Sequence, residues 1–393
     1  MEGRGVSTLK ANVVLWSNRN VPGRAIMEDA RALESSGVVD GFTCLNHMVS
    51  FMPPCLWRPE NTPLAAIFTD MDCLHDAHAA VTLGNAAAPG LEAYIASDPV
   101  RTGPANLVQT MWSLAHLSEG KIKFHFGPGE VKNLAPFGFD RRQGLKRFED
   151  MLRVADLMWK SPGPVDFVGH YTTLKNAFLG GQRLYRPEIW SMGTGPRQMD
   201  LATTYCDGVA AIAPSVWITP EHCRQETTKI RSTLASKGRD PGSFGLGVYC
   251  FNLLHEDPDV IDQMLDSTII RWLTVLIGRI NPVIWRMEDI EPPTPEGWTF
   301  FGNYDSYGIE PEFVDAAIAK TTRTMAERSF QFGTPTQVAE SLSHYVDAGV
   351  NWMCFFDFAP LVLRPEDAAK SLQRQIELCA RLKELVGSAI PFA

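Results

Sequence analysis

Two residues stand where proton chemistry is expected: His47, closing the apolar stretch "VVDGFTCLNH" (38–47), and Glu130, after the glycine break in "KIKFHFGPGE" (121–130). An imidazole titrates near neutral pH and can give or take a proton. A lone carboxylate on a glycine-rich turn can manage charge or a proton where the chain leaves a strand. A third feature is "GTGPRQM" (193–199), in which Gly193, Thr194 and Gly195 lead into a helical pattern that begins with Pro196. Free backbone N–H groups at such a turn can hold a phosphate, although plain strand-to-helix geometry gives the same pattern. The lysine of a nucleoside-triphosphate loop is missing. His75 and His78 stand three apart, but no carboxylate or third histidine completes a metal set, so they read as surface or lid residues. His125 lies inside a strand pattern and reads as packed.

The elements that must position these groups alternate along the chain. Strand patterns fall at 11–16, 38–47, 91–97, 121–126, 188–193, 208–213, 244–254 and 351–358. Helical patterns fall at 23–37, near 75–87 and 104–118, at 144–160, and near 335–348 and 366–385. "VDFVGHYTTL" (165–174) reads as a small hairpin outside the repeat. Parallel neighbours need crossover connections, so this alternation predicts an α/β fold, a single (β/α)8 TIM barrel over 1–393. No dinucleotide-binding glycine fingerprint follows the first strand. Inserts are expected near 48–72, after strand 2, near 161–186, and as a long irregular segment near 280–330, between strands 7 and 8. In such a barrel the active site lies at the C-terminal strand ends. Those ends are Trp16-Ser17-Asn18, Asn46-His47, Ser97-Asp98, Gly127-Pro128-Gly129-Glu130 and Gly193-Thr194-Gly195.

Composition narrows the classes. A net charge of −9 argues against a nucleic-acid surface. No apolar run reaches the roughly 18 residues of a membrane span. "MEGRGVSTLK" lacks the apolar core of a signal peptide, so a cytoplasmic protein is expected. The eight cysteines are scattered without a C-x-x-C pair, which predicts reduced core thiols and no metal site.

The motifs resemble the bacterial luciferase-like superfamily, and more closely its branch using the deazaflavin coenzyme F420. The most specific stretch is "FGPGEVKNLAPFGFDRRQGLKRFEDMLRVADLMW", with its glycine-acid turn followed by Asn133. "PEIWSMGTGPRQMDLATTYCDG" and "FGTPTQVAESLSHYVDAGVNWMCFF" match further elements. "ASDPVRTGPANLVQ", "YTTLKNAF" and "RPEIW" are most similar to the phthiodiolone dimycocerosate ketoreductases of that branch.

The resemblance implies hydride transfer between reduced deazaflavin and a carbonyl or activated alkene. It makes His47, as imidazolium, the proton donor and sets Glu130 beside ring and substrate. It implies a coenzyme site of Trp16, Tyr94, Ile95, Ser97, Asp98, Gly129, Asn133, Met192, Gly193, Thr194 and Gly195. A non-prolyl cis peptide is expected at Tyr94-Ile95, and a homodimer is expected. The sugar-phosphate lysine is replaced within "APSVWITPEH", which argues against glucose 6-phosphate. Aromatic residues of the inserts (Phe51, Trp57, Trp285, Trp298, Phe300, Phe301, Tyr304, Tyr307) suit a large apolar substrate, or pack the inserts onto the barrel. The alternatives are an FMN-dependent monooxygenase that activates O₂ and a coenzyme carrier without catalysis.

Overall fold

The computed structural model describes residues 9–387. Eight strands form the frame: Lys10–Val14 (β1), Gly41–Leu45 (β2), Glu92–Ser97 (β3), Ile122–Phe126 (β4), Ile189–Met192 (β5), Gly208–Ala213 (β6), Gly245–Leu254 (β7) and Trp352–Asp357 (β8). Each pairs in parallel with its sequence neighbours, and β8 pairs with β1, so the sheet closes into a TIM barrel. Closure leaves no exposed edge among these strands.

Alternation along the strands sorts side chains between two cores. Ala93 and Ile95 of β3, Phe124 and Phe126 of β4, and Met353 and Phe355 of β8 point outward, against the helical ring. Tyr94, Trp190, Tyr249, Trp352 and Phe356 belong to the inner core. Trp190 fits because its neighbours are small: a Cβ on Gly245 would lie 2.1 Å from the indole. That close approach requires glycine at Gly245.

The helices fall close to their expected positions, including Arg24–Ser36, Ala77–Ala87, Pro104–Leu117, Gly144–Lys160, Pro335–Asp347 and Ser371–Gly387. Val165–Val168 and Thr173–Ala177 form a separate antiparallel hairpin. The stretch between β7 and β8 is more regular than its sequence suggests. It contains the helices Pro258–Asp266, Thr268–Ile277, Val283–Met287, Phe300–Asn303, Pro311–Lys320 and Arg323–Glu327. A short strand, Gln331–Gly333, follows them and pairs with the end of β7.

The expected cis peptide at Tyr94-Ile95 is absent; the cis bond recorded among the described residues is Ala213-Pro214. β3 runs in uninterrupted register with β2 from Glu92 to Ala96 and with β4 from Ala93 to Ser97, which leaves no bulge there. Among the described residues no helix is long and apolar enough to cross a membrane.

Candidate active site

Strand ends carry the site because a parallel barrel points every carboxyl end to one rim. β2 delivers Asn46 and His47, β3 delivers Ser97 and Asp98, and β4 delivers the turn to Glu130. Gly129 makes that turn with φ of 88°, and a Cβ there would meet Leu134 at 2.7 Å. A side chain at Gly129 would therefore be strained and would crowd the short helix Val131–Leu134 that follows.

The two candidate catalytic groups come together. His47 Nε2 lies 3.8 Å from Glu130 Oε2. The same oxygen accepts a hydrogen bond from Asn133 Nδ2 at 3.0 Å and faces Lys132 Nζ at 3.1 Å. Three groups thus converge on Oε2, while Oε1 has no partner among the described residues. Asn133 also ties this turn to the loop after β2, its Oδ1 accepting from Met48 N at 2.8 Å. Lys132 does the same, donating to the Val49 carbonyl at 2.7 Å and sitting over the Phe51 ring. His47 packs edge-on against that ring.

Electrostatics decide the resting state of His47. Burial, then the nearby Lys132 and Arg101 cations, hold its pKa well below the ordinary imidazole range. The ring therefore rests neutral, not as the imidazolium expected from sequence. Lys132 itself is pushed down by burial, with Glu130 pulling in the opposite direction. Arg101 is fixed by Asp98, 2.8 Å from its Nε, and donates to the Asn46 carbonyl at 2.6 Å. Asn46 Nδ2 donates to Ser97 Oγ at 3.0 Å, so the ends of β2 and β3 form one hydrogen-bonded rim.

Other expected residues divide. Trp16 stands beside Phe356, with ring centroids 4.9 Å apart, and Phe356 in turn faces Phe51. Met192 leads into the Gly193–Gly195 turn, which caps the helix Pro196–Tyr205 without any side-chain cap. The first-turn amides of that helix have no intrahelical acceptor, and a Cβ on Gly195 would meet nothing within 4 Å. This open cradle fits a phosphate-bearing coenzyme. Tyr94 and Ile95 do not join the site. Tyr94 points into the barrel's lower layer, its hydroxyl on Glu92, and Ile95 faces the outer helices. His125 is packed inside the barrel, as expected, with Nδ1 2.9 Å from the Tyr249 hydroxyl. No cluster of metal-binding side chains occurs among the described residues.

Most insert aromatics serve packing. Phe51, Phe300 and Tyr304 are buried in the inner core, Trp285 is buried under Arg279, and Tyr304 donates to the Phe51 carbonyl at 2.9 Å. Sequence reasoning missed Arg101 and Lys132. The available signal was their spacing, three residues after Asp98 and two after Glu130.

Barrel and rim together define a member of a known class. Residues 96–351 match the luciferase-like monooxygenase family, and the chain belongs to it. Over 241 residues the chain is 28% identical to a phthiodiolone/phenolphthiodiolone dimycocerosates ketoreductase of Mycobacterium sp. (strain JLS). That match covers 59% of this chain and spans 62% of the relative's length. Among solved structures, an F420-dependent secondary alcohol dehydrogenase with a bound F420-acetone adduct has a TM-score of 0.69 at 18% identity, covering 95% of this chain and 99% of that one. A riboflavin lyase with modified FMN has a TM-score of 0.66 at 15% identity, covering 98% and 93%. At these identities both show the shared fold.

Proposed function

We propose that the chain is a coenzyme F420-dependent oxidoreductase of ketoreductase type, acting on a carbonyl or activated alkene of a large apolar substrate. The observation that carries this reading is the juxtaposition of His47 and Glu130, 3.8 Å apart at the strand-end rim. The mycobacterial relative's ketoreductase name supports it.

The Gly193–Gly195 turn would hold the coenzyme phosphate, and Trp16, Ser97, Asp98, Gly129, Asn133 and Met192 would line the ring site. Bound in reduced form, F420 supplies a hydride. A ketone that gains hydride becomes an alkoxide and needs a proton. His47 delivers it, a contribution typically of about 10²–10⁴ in rate. Because the ring rests neutral, reduction requires His47 to take up a proton before giving it. Glu130 stabilises that transient imidazolium across the gap between them. In the oxidising direction neutral His47 is ready at once as the base. Glu130 Oε1 remains open to orient substrate or exchange protons with water.

The second reading is an FMN-dependent enzyme, supported by the likeness to the FMN-bearing riboflavin lyase. Titration of the purified chain with F420 and, separately, with FMN distinguishes them by fluorescence. Tight F420 binding and ketone-dependent oxidation of the reduced coenzyme are expected. Binding of FMN alone would reverse the assignment.

A further inference from the structure

Beside the turn that carries Glu130 lies a cavity of about 430 Å³. Its walls include Val131, Ala135, Phe139 and Phe301, and two arginines, Arg141 and Arg142, border it. The two cations differ sharply in what they already hold. Arg142 is bound in a fork to Asp140, with Nε and Nη2 each donating at 3.0 Å, and its side chain is 90% exposed. Arg141 is half-buried, and its enclosed Nε has no hydrogen-bond partner. Glu130 and Asp98 attract it from a distance, while burial lowers its pKa. Lys132 and Asn133 converge on Glu130 Oε2 and Arg101 pairs with Asp98, and neither acid makes a hydrogen bond or ion pair with Arg141 among the described residues.

We propose that this cavity binds the carboxylate of an amphipathic organic acid, with Arg141 as its counter-ion and Phe139 and Phe301 against its apolar body. A guanidinium presents a planar fork that matches a carboxylate with two parallel hydrogen bonds. The single uncommitted cation suits a monoanion better than a phosphate dianion, which would need further donors. An enclosed guanidinium N–H left without an acceptor is costly, so a partner anion is favoured there. Val131 directly follows Glu130, so an acid seated here lies next to the proposed reaction centre. Assigning that acid as the substrate rests on the oxidoreductase reading; its binding does not.

The test is calorimetric titration of the full chain, without coenzyme, using octanoate and its neutral analogue octanamide. Octanoate should bind at least about tenfold more tightly than octanamide, the scale of one charge-assisted contact. Arg141→Leu should reduce octanoate to the octanamide level, Arg141→Lys should restore part of the difference, and Arg142→Leu should leave it intact. Arg141→Leu gives up no hydrogen bond, so without ligand it should melt no lower than the parent protein. Absence of octanoate binding, equal binding of acid and amide, retained affinity in Arg141→Leu, or a lower melting point for it would each overturn the proposal. Failure of F420 to bind would overturn the oxidoreductase reading and leave these titrations unaffected.

Discussion

The two ends of the barrel both hold charged groups and treat them in opposite ways. At the amino ends of the strands, Lys123 Nζ sits 2.9 Å from both Glu92 and Glu188. Lys10 and the Tyr94 hydroxyl also bind Glu92, and Trp190 Nε1 donates to Glu188 at 2.8 Å. A cavity of about 360 Å³ opens at that end, but the charges lining it are spent on one another. At the carboxyl ends, His47 rests neutral between cations, Glu130 keeps one oxygen open, and Arg141 Nε has no hydrogen-bond partner. Closed ion networks hold a structure together, whereas buried groups with open valences are what a reaction or ligand can use. The cavity nearer the open groups is therefore the better functional candidate.

The strongest way to break this contrast is to remove the proton carrier. His47→Ala should lower turnover by about 10²–10⁴, equivalent to roughly 3–5 kcal/mol of barrier, with coenzyme affinity nearly unchanged. Steady-state ketone reduction and a coenzyme titration on the same preparation separate the two effects. Unchanged turnover would mean that the rim holds its histidine for packing against Phe51.

At the closed end the expected loss is in stability. Lys123→Met leaves Glu188 without its ion-pair partner and Glu92 with Lys10 alone, a loss of about 3 kcal/mol. Urea unfolding measures it, and activity of the folded fraction should be unchanged. Acid titration adds a second readout. Burial raises the Glu92 pKa, but Lys123, Lys10 and the Tyr94 hydroxyl outweigh it and hold the group at about 2, below its ordinary 4.5. A depressed carboxyl contributes stability that is fully present above about 4.5 and is lost as pH falls towards 2. Lys123→Met should weaken this acid-sensitive component.

These effects also mark what the residues alone reveal. Two-residue alternation in "KIKFHF" and the short apolar run of "NWMCFFDF" are enough to find strands, and strand ends in a barrel are enough to bring His47 and Glu130 to one rim. The helices between β7 and β8 were obscured because "GRINP" and "EPPTPEG" cut them into pieces too short to display a 3.6-residue period. Tyr94 was assigned to the coenzyme because of its counterpart in related chains. Its own fate is set by register, which aligns Tyr94 with Lys123 across β3 and β4 in the lower layer. Lys132 and Arg101 lie within the recognised motifs, and their spacing from Glu130 and Asp98 suggests a pairing but not that they turn inward towards His47. Arg141 and Arg142 are adjacent and chemically identical, and only the fold gives Asp140 to one and leaves the other without a partner.

A subtler variant sharpens the electrostatic side of the rim. Lys132→Met removes one of the two cations that hold His47 neutral, so the imidazole pKa should rise. The corresponding limb of the pH–rate profile should move to higher pH, with turnover changed by about tenfold, a scale of roughly 1.4 kcal/mol. A change in turnover without movement of that limb would make Lys132 a support for the Val49 loop alone.

The smallest effect tests whether every tie at the open end is weak. Asp72 accepts from the Ser50 amide and, at 2.6 Å, from the Tyr307 hydroxyl, joining the loop after β2 to the segment before helix Pro311–Lys320. Tyr307 is 60% exposed, so water replaces much of what the bond provides. Tyr307→Phe should cost no more than about 0.5 kcal/mol, the low end for a hydrogen bond in solvent. Urea unfolding of Tyr307→Phe and Lys123→Met side by side gives the comparison directly. Equal losses would show that the upper loops are as tightly bound as the base, and the open groups at the rim would then need a structural explanation.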